Sequence, residues 1–486
     1  MDPSISQATL DAVRAALLAP VSGNMLAKAS ETTQGITTTT GMYGYNLEAP
    51  AKTLVPILTP LRNRTPRKGG GHGTAVEWKA VTNVNATNLR PGVAEGSKGT
   101  VPSITFQTYS AGYRTLGFPG EVTMQAIWAS QEFDDALNRG TVTTLQTTML
   151  GEEQTILGGN KTAIGKPSTI TFADTALATD GTLTPDATAY FGVSALTLQG
   201  KISGSTGIVS VVDAADETDV CTGNHATTTY DLGSTATIVH WPAVRGAVAY
   251  NVYVGTTSTL YYRATVTANT YELATTPSDT GHLPNAADQT ADDTVFDGII
   301  PQLEVAGSGA YFVDLAGTAL TSDNAGGVVQ IDTMLKYLWD NARLSPSRLL
   351  VNSQEALTIT QAVLTAGSTG AIRVMASPAP GGTGLLQAGF FVATYLNKFC
   401  PSQPVVQIEV HPNMPAGKIV AIVEALPAWY PNSNVSSVFE LDVRQEYVQY
   451  DFAFTALQRE FGVYVDEVLK CYLPAGCGVI TGIAAS

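Results

Sequence analysis

Hydrophobic and polar positions alternate most regularly near the C-terminus, over FELDVRQEYVQYDFAFTALQREFGVYVDEVLKCYLPAGCGVITGI, residues 439–483. Val448, Tyr450, Phe452 and Phe454 fall on one side of an extended chain, and Tyr447, Gln449 and Asp451 on the other. After a polar break Phe461, Val463 and Val465 continue the alternation, which predicts a second long strand. The helical period of 3.6 shows elsewhere. Phe133, Leu137, Val142, Leu145, Met149 and Ile156 form a stripe that predicts a long helix within residues 119–158, with Glu152 and Glu153 outside the stripe on a solvated face. Gly140 costs about 1 kcal/mol relative to Ala in a helix, so a bend or break is expected there. Ile331, Met334, Leu335, Leu338 and Trp339 predict a strongly amphipathic helix. Ser353 is the expected N-cap of a helix reaching about Leu364. RLLVN (348–352), PVVQIEVH (404–411) and KIVAIVEAL (418–426) predict buried strands, and PAPGGTG (378–384) a flexible loop. Leu10, Val13, Leu17 and Leu18 predict a short amphipathic helix from Gln7.

From 165 to 295 the pattern is strand and turn with almost no helical period. TATIVHWPAVRGAVAYNVYVGTTS resembles the second and third strands of a fibronectin type III or related immunoglobulin-like sandwich. The resemblance implies Trp241 as the core tryptophan and Gly246-Ala247 as the bend. Tyr250, Val252 and Val254 would be the alternating set of the next strand. AYFGVSALTLQGKIS resembles the closing hairpin strands of such a sandwich. It precedes rather than follows, which implies a permuted module or two half-modules.

Charge sharpens this division. The chain of 486 residues is long enough for two or three domains and carries a formal net charge of −15, with only 14% charged residues. That balance argues against a general nucleic-acid binder. Residues 51–118 run against it: Lys52, Arg62, Arg64, Arg67, Lys68, Lys79, Arg90, Lys98 and Arg114 face only Glu77 and Glu95. RNRTPRKGGGHGTAVEWKAVTNVNATN reads as a hairpin-like excursion, an extended basic loop that lies on an acidic neighbour. Reversing Arg62, Arg64 and Arg67 is then expected to harm assembly more than folding. Residues 165–295 are acidic, with four basic side chains against thirteen acidic ones. Four cysteines make no disulfide framework. The N-terminal MDPSISQATLDAVRAALLAP lacks the basic start and apolar run of a signal peptide, and no stretch approaches a membrane span. A soluble protein made in a cytoplasm is expected.

Catalytic patterns are imitated rather than met. GNKTAIGKPS (159–168) has one residue too many for a phosphate-binding loop and places Pro167 where Ser or Thr should hold magnesium. Cys221, His225 and His240 lack a fourth zinc ligand. GGGHG (69–73) lacks the strand and helix of a dinucleotide site. Adjacent carboxylates at Asp134–Asp135, Glu152–Glu153 and Asp292–Asp293 point about 100° apart on a helix and form no acid–base pair. No enzyme and no cofactor is expected.

The order of parts resembles a family. LTPLRNRTPR (58–67), the helix ending in EEQTILGGN (152–160), LSPSRLLVNSQEALTIT (344–360) and the closing VRQEYVQYDFAFTALQREFGVYVDEVLKCYLPA resemble the major capsid protein of tailed bacteriophages. Their Hong Kong 97-type fold is shared by herpesvirus capsid floors and encapsulins. The resemblance implies an α+β chain with an all-β immunoglobulin-like insertion. It divides into an N-terminal arm (1–50), an extended loop (51–118), a peripheral domain with a spine helix (119–164), the insertion (165–295), an axial domain (296–438), peripheral return strands (439–470) and a C-terminal axial segment (471–486). Arg62, Arg64, Arg67, Lys68 and Lys79 would contact neighbouring subunits. The implied partners are copies of itself in hexamers and pentamers, with portal and scaffold or decoration proteins, around DNA held without sequence-specific binding and with no membrane. The implied location is the virion capsid, assembled in the cytoplasm of a bacterial host. A binding or adhesion protein displaying the fibronectin-like module and an encapsulin-type shell are the alternatives.

Overall fold

The computed structural model describes residues 51–84, 91–99, 101–131, 133–176, 188–203, 217–226, 235–275, 280–365, 392–430, 435, 437–454 and 456–484. The helix expected from Gln7 and the loop at 378–384 lie outside these residues. Two units divide the chain, Met1–Leu54 with Ala129–Asp135, and Val55–Trp128 with Ala136–Ser486. In the first, the Phe133 and Asp134 amides both bond the Ser130 carbonyl at 3.1 Å. Everything below concerns the second.

The chain runs through helix α1 (Pro60–Arg64), strand β1 (Arg67–Gly69), a hairpin of β2 (Ala75–Val84) and β3 (Ile104–Gly112), and strand β4 (Arg114–Thr123). Helices α2 (Met124–Ala129) and α3 (Ala136–Gly158) follow. Then come β5 (Thr171–Ala176), β6 (Thr188–Leu196), α4 (Leu198–Ser203), β7 (Cys221–Ala226), β8 (Thr235–His240), β9 (Ala249–Gly255), β10 (Tyr261–Val266) and β11 (Thr270–Leu273). The last third holds α5 (Ile299–Glu304), β12 (Tyr311–Thr318), α6 (Val329–Ala342), β13 (Arg348–Val351), α7 (Ser353–Thr365), β14 (Thr394–Leu396), β15 (Val405–Val410) and β16 (Ile419–Ile422). It ends with β17 (Phe439–Asp451), β18 (Gln458–Cys471) and β19 (Gly478–Ile483). The fold is α+β.

The alternating segment makes the long pair β17–β18, the centre of a sheet ordered β1-β17-β18-β4. Helix α3 packs on one face, and the buried side chains between them include Ile156, Leu157, Leu441, Val443 and Leu469. Two expectations about this layer change. Pairing slips between Val443 and Gln445 and again before Val448, so the alternation does not keep one phase along β17. Tyr450, Phe452 and Phe454 are exposed, whereas Phe461, Val463 and Val465 are buried. Helix α3 is unbroken at Gly140, where a Cβ would stand 3.0 Å from Val122 and 3.4 Å from the Phe461 ring. The glycine serves close packing, not a bend.

Helix α3 also buries a different stripe from the expected one. Val142 is exposed, and the buried set includes Thr148, Glu152, Glu153, Ile156 and Leu157. Thr141, Thr144, Thr147, Thr148 and Thr155 each donate a hydroxyl to the carbonyl four residues earlier. Their polarity is thereby satisfied locally.

A six-stranded sheet, ordered β12-β19-β16-β13-β15-β14, forms the second core. The C-terminal β19 lies inside it, parallel to β12 and antiparallel to β16. Helix α6 lays Ile331, Met334, Leu335 and Leu338 on this sheet and stops at Arg343, which adopts a left-handed φ of 55°. The cap of α7 is Asn352 rather than Ser353: its Oδ1 accepts the Gln354 amide at 3.0 Å.

Between α3 and α5, two antiparallel sheets, β10-β9-β6-β7 and β11-β8-β5, enclose their own core. Trp241, Tyr250, Val252 and Val254 are in it, with the Trp241 and Tyr250 rings edge to face at 5.4 Å. Gly246 makes the turn at a φ of 85°. Strand β9 is buried on both faces, so Asn251 and Tyr253 are as covered as their neighbours. LQGKIS is helix α4, not the expected strand, and its Leu198 packs into the main core beside Ile156 and Leu157.

Candidate functional site: the root and the arm of the basic segment

The basic stretch divides into two parts with opposite environments. At its root, α1 and β1 are wedged among α3, β17 and the six-stranded sheet. Pro60 opens α1 and so supplies no amide that would need a partner there. The free amides of Leu61 and Arg62 donate to the Glu153 carboxylate at 2.9 and 2.7 Å. Glu153 also accepts from His411 Nε2 at 2.6 Å. His411 Nδ1 accepts the Asn413 amide at 3.2 Å, which leaves the ring proton on Nε2.

The three arginines of RNRTPR reach acids of their own chain. Arg62 Nε lies 2.7 Å from Glu152 Oε2, and Arg67 Nη1 lies 2.5 Å from Glu152 Oε1. Arg67 Nη2 continues to Glu467 at 2.7 Å. The Tyr447 ring lies beneath both guanidinium groups, 5.1 and 5.5 Å from their centres, and its hydroxyl donates to Glu152. Arg64 faces the other way. With Arg348 it shares Glu409 and Glu424, at 2.8 and 3.3 Å for Arg64 and 3.2 and 2.8 Å for Arg348. The root therefore ties helix α3 and the long hairpin to the six-stranded sheet. Glu152, Glu153 and Glu467 are fully buried.

One sequence reading is corrected by these contacts. Glu152 and Glu153 do not form a solvated face. Arg62, Arg64 and Arg67 each close ion pairs within the chain. Removing one partner of a buried pair strands the other charge, at about 3–5 kcal/mol, against about 0–1 kcal/mol for an exposed pair. The available signal was the crowding of Thr and Gly around Glu152, which marks a face that something approaches closely.

Beyond the root the segment is different. The first residues of the β2–β3 hairpin are anchored by Trp78, stacked on Tyr109 at 5.6 Å and edge-on to Tyr472 at 6.0 Å. Farther out, Val81, Val84, Ile104 and Phe106 are all more than half exposed. Lys68 and Lys79 are exposed too. This two-stranded sheet pairs with no other strand among the described residues. A second exposed apolar group, Tyr450, Phe452, Phe454 and Leu457, lies at the turn of the β17–β18 hairpin.

The stretches that imitate catalytic motifs have ordinary surroundings. Lys166 Nζ pairs with Asp219 at 2.6 Å. Cys221 and His240 lie on strands of different sheets. No group of three metal-ligating side chains converges among the described residues.

No protein-family model matches the sequence, and no curated protein matches it. Solved structures do match. The capsid of Myoviridae phage XM1 is 8% identical, with 93% of this chain and 100% of that one covered at a TM-score of 0.43. The capsid of cyanophage P-SCSP1u is 7% identical, with 96% and 100% covered at 0.40. The holo-SrpI encapsulin complex from Synechococcus elongatus PCC 7942 is 8% identical, with 90% and 94% covered at 0.40. These similar structures are two capsids and an encapsulin.

Proposed function

We propose that this chain is a shell-forming structural protein, the major capsid protein of a tailed phage with a Hong Kong 97-type fold. The observation that carries the proposal is the β2–β3 hairpin. A two-stranded sheet is marginal alone in water, yet this one projects Val81, Val84, Ile104 and Phe106 with nothing among the described residues to cover them. A repeating neighbour covers such a surface in every copy. The exposed aromatic turn of β17–β18 is a second surface of the same kind. In this reading residues 1–50 are the arm, 51–118 the extended loop, 119–164 and 439–470 the peripheral domain, 296–438 and 471–486 the axial domain, and 165–295 an immunoglobulin-like insertion on the outer face. Lys68 and Lys79 are the loop residues that contact an adjacent subunit; the three arginines hold the loop's root.

The shell encloses double-stranded DNA without reading its sequence and works with portal and scaffold or decoration proteins. The acidic insertion keeps finished particles mutually repulsive. Expression of the full chain followed by negative-stain microscopy tests the shell: regular closed particles or capsomers are expected, and a small monodisperse monomer under all assembly conditions refutes it. Nuclease-protected double-stranded DNA inside particles from the natural source tests the contents. Protein cargo in its place turns the reading to an encapsulin-type shell.

A further inference from the structure

A module carried on two linkers moves relative to its body unless the contact between them is extensive. The two-sheet region stands on the six-stranded layer through two feet. One is the turn 243–246 between β8 and β9. Its Gly246 amide donates to Glu304 Oε2 of α5 at 2.7 Å, and Glu304 Oε1 pairs with Lys418 just before β16, both side chains being buried. Arg245 donates to the Glu304 carbonyl at 3.0 Å and lies over the Phe312 ring of β12 at 4.4 Å. The other foot is the turn between β10 and β11. Its Asn269 is buried, and Nδ2 donates to the Trp241 carbonyl at 2.9 Å and to Asp314 Oδ2 of β12 at 3.0 Å. The Ala243 amide reaches the same Asp314 oxygen at 3.4 Å, so one carboxylate joins both feet. The entry and exit linkers are also bonded to each other. Asn160 Nδ2 donates to the Thr290 carbonyl at 2.8 Å, and the Asp292 and Gly298 amides donate to the Asn160 and Gly159 carbonyls at 3.1 and 2.8 Å.

Under the second foot β12 is deformed. Its pairing with β19 slips between Asp314 and Thr318. Ala316 adopts a left-handed φ of 48°, uncommon for a residue with a Cβ, and Gly317 and Gly482 stand at 76° and 69°. Asp314 Oδ1 accepts the Ala316 amide at 2.9 Å. A Cβ on Gly317 would strike the Thr270 side chain, and one on Gly482 would strike Asp314. Backbone in this region persists where its surroundings over-determine it, and here Ala243, Asn269 and Thr270 of the two-sheet region are among those surroundings. Strand β12 is also the edge of its sheet, with β19 as its one partner among the described residues.

We propose that the two-sheet region is a brace fixed to the edge of the six-stranded sheet. Its feet hold the bulged end of β12, and the bulge in return sets a single orientation of the region. The brace acts within one chain, whether or not copies assemble.

Pulsed dipolar spectroscopy of spin-labelled full chain, diluted with unlabelled chain, reads the orientation. One label goes on Ser258→Cys, past the end of β9 away from the 243–246 turn, and the other on Lys336→Cys of α6; both positions are exposed, and Cys221→Ser removes the half-buried thiol. A single distance is expected, with the spread of a Lys336–Gln407 reference pair inside the six-stranded layer. A broad or two-peaked distribution overturns the proposal. Asn269→Ala then removes the bonds to Asp314 and Trp241 together. The distribution is expected to broaden. The Ile483 and Ala484 amides, which bond the Gly417 and Thr318 carbonyls at 3.2 and 3.3 Å beside the bulge, should exchange about tenfold faster. The β9 amides should keep their protection, which shows the two-sheet core still folded. An unchanged spread with unchanged exchange at Ile483 and Ala484 overturns the brace. If Asn269→Ala does not fold, the distribution in the chain that keeps Asn269 decides alone: one narrow distance upholds the proposal and a broad one overturns it.

Discussion

The root and the outer hairpin belong to one basic segment but have opposite surroundings. Arg62, Arg64 and Arg67 stand within six residues of one another and find carboxylates on α3, β18, β15 and just past β16. About ten residues later the same run of chain carries Lys79 and a row of apolar side chains that no described residue covers. A cluster of positive charge therefore says little about where it acts. What separates the two parts is the presence of buried acids within reach, and those acids come from positions 85 to 400 residues away.

This contrast is open to direct attack. The largest effect is expected from Glu152→Ala, which leaves Arg62 and Arg67 without their shared partner; about 3–5 kcal/mol of stability should be lost in a denaturant titration. A loss below about 1 kcal/mol would mean that the root is not a structural joint. Leu198→Ala comes next, at about 2–5 kcal/mol. Leu198 belongs to the two-sheet region by sequence but to the main core by packing, with its side chain against Gly158 and among Ile156 and Leu157. Excision of residues 165–295 should for the same reason destabilise what remains; an excised chain as stable as the intact one would show the two cores to be independent.

Phe106→Ser and Lys79→Glu probe the other side of the comparison. Each should change the stability of the single chain by less than about 0.5 kcal/mol, while particle yield by sedimentation drops for both. Unchanged yield in both would remove the hairpin from the assembly surface. The smallest effect concerns Asp323, held down to about 2 chiefly by its hydrogen bond to Lys398. A carboxylate whose folded value lies below its unfolded one contributes stability above the unfolded value and loses it as the pH falls through about 2. Acid unfolding should therefore begin at slightly higher pH in Lys398→Met, and coincident curves would show the pair to contribute nothing.

Much of the architecture was legible in the residues. Ile331, Met334, Leu335 and Leu338 announced α6 because a helix on a sheet needs that spacing, and the structure buries all four. Trp241 was expected in a core and Tyr250, Val252 and Val254 as the alternating set of the next strand, and all four lie in one core. The candidate site was less legible. Glu152 and Glu153 read as solvated because charge is costly to bury, and only the arrival of Arg62, Arg67 and His411 reverses that balance. Tyr447 was assigned a face by strict alternation, and the register slips along β17 bring its ring under two arginines instead.

Local pattern and composition by themselves determined helix α6, the buried strands β13 and β16, and that the long alternating pair near the C-terminus is a structural seam. They could do so because burying one face imposes a period on the chain that carries it. The tertiary structure alone decided which charges are interior, which face of β17 is covered, and that β19 closes a sheet begun by β12. Those outcomes depend on partners far away in sequence, and no local period records a partner.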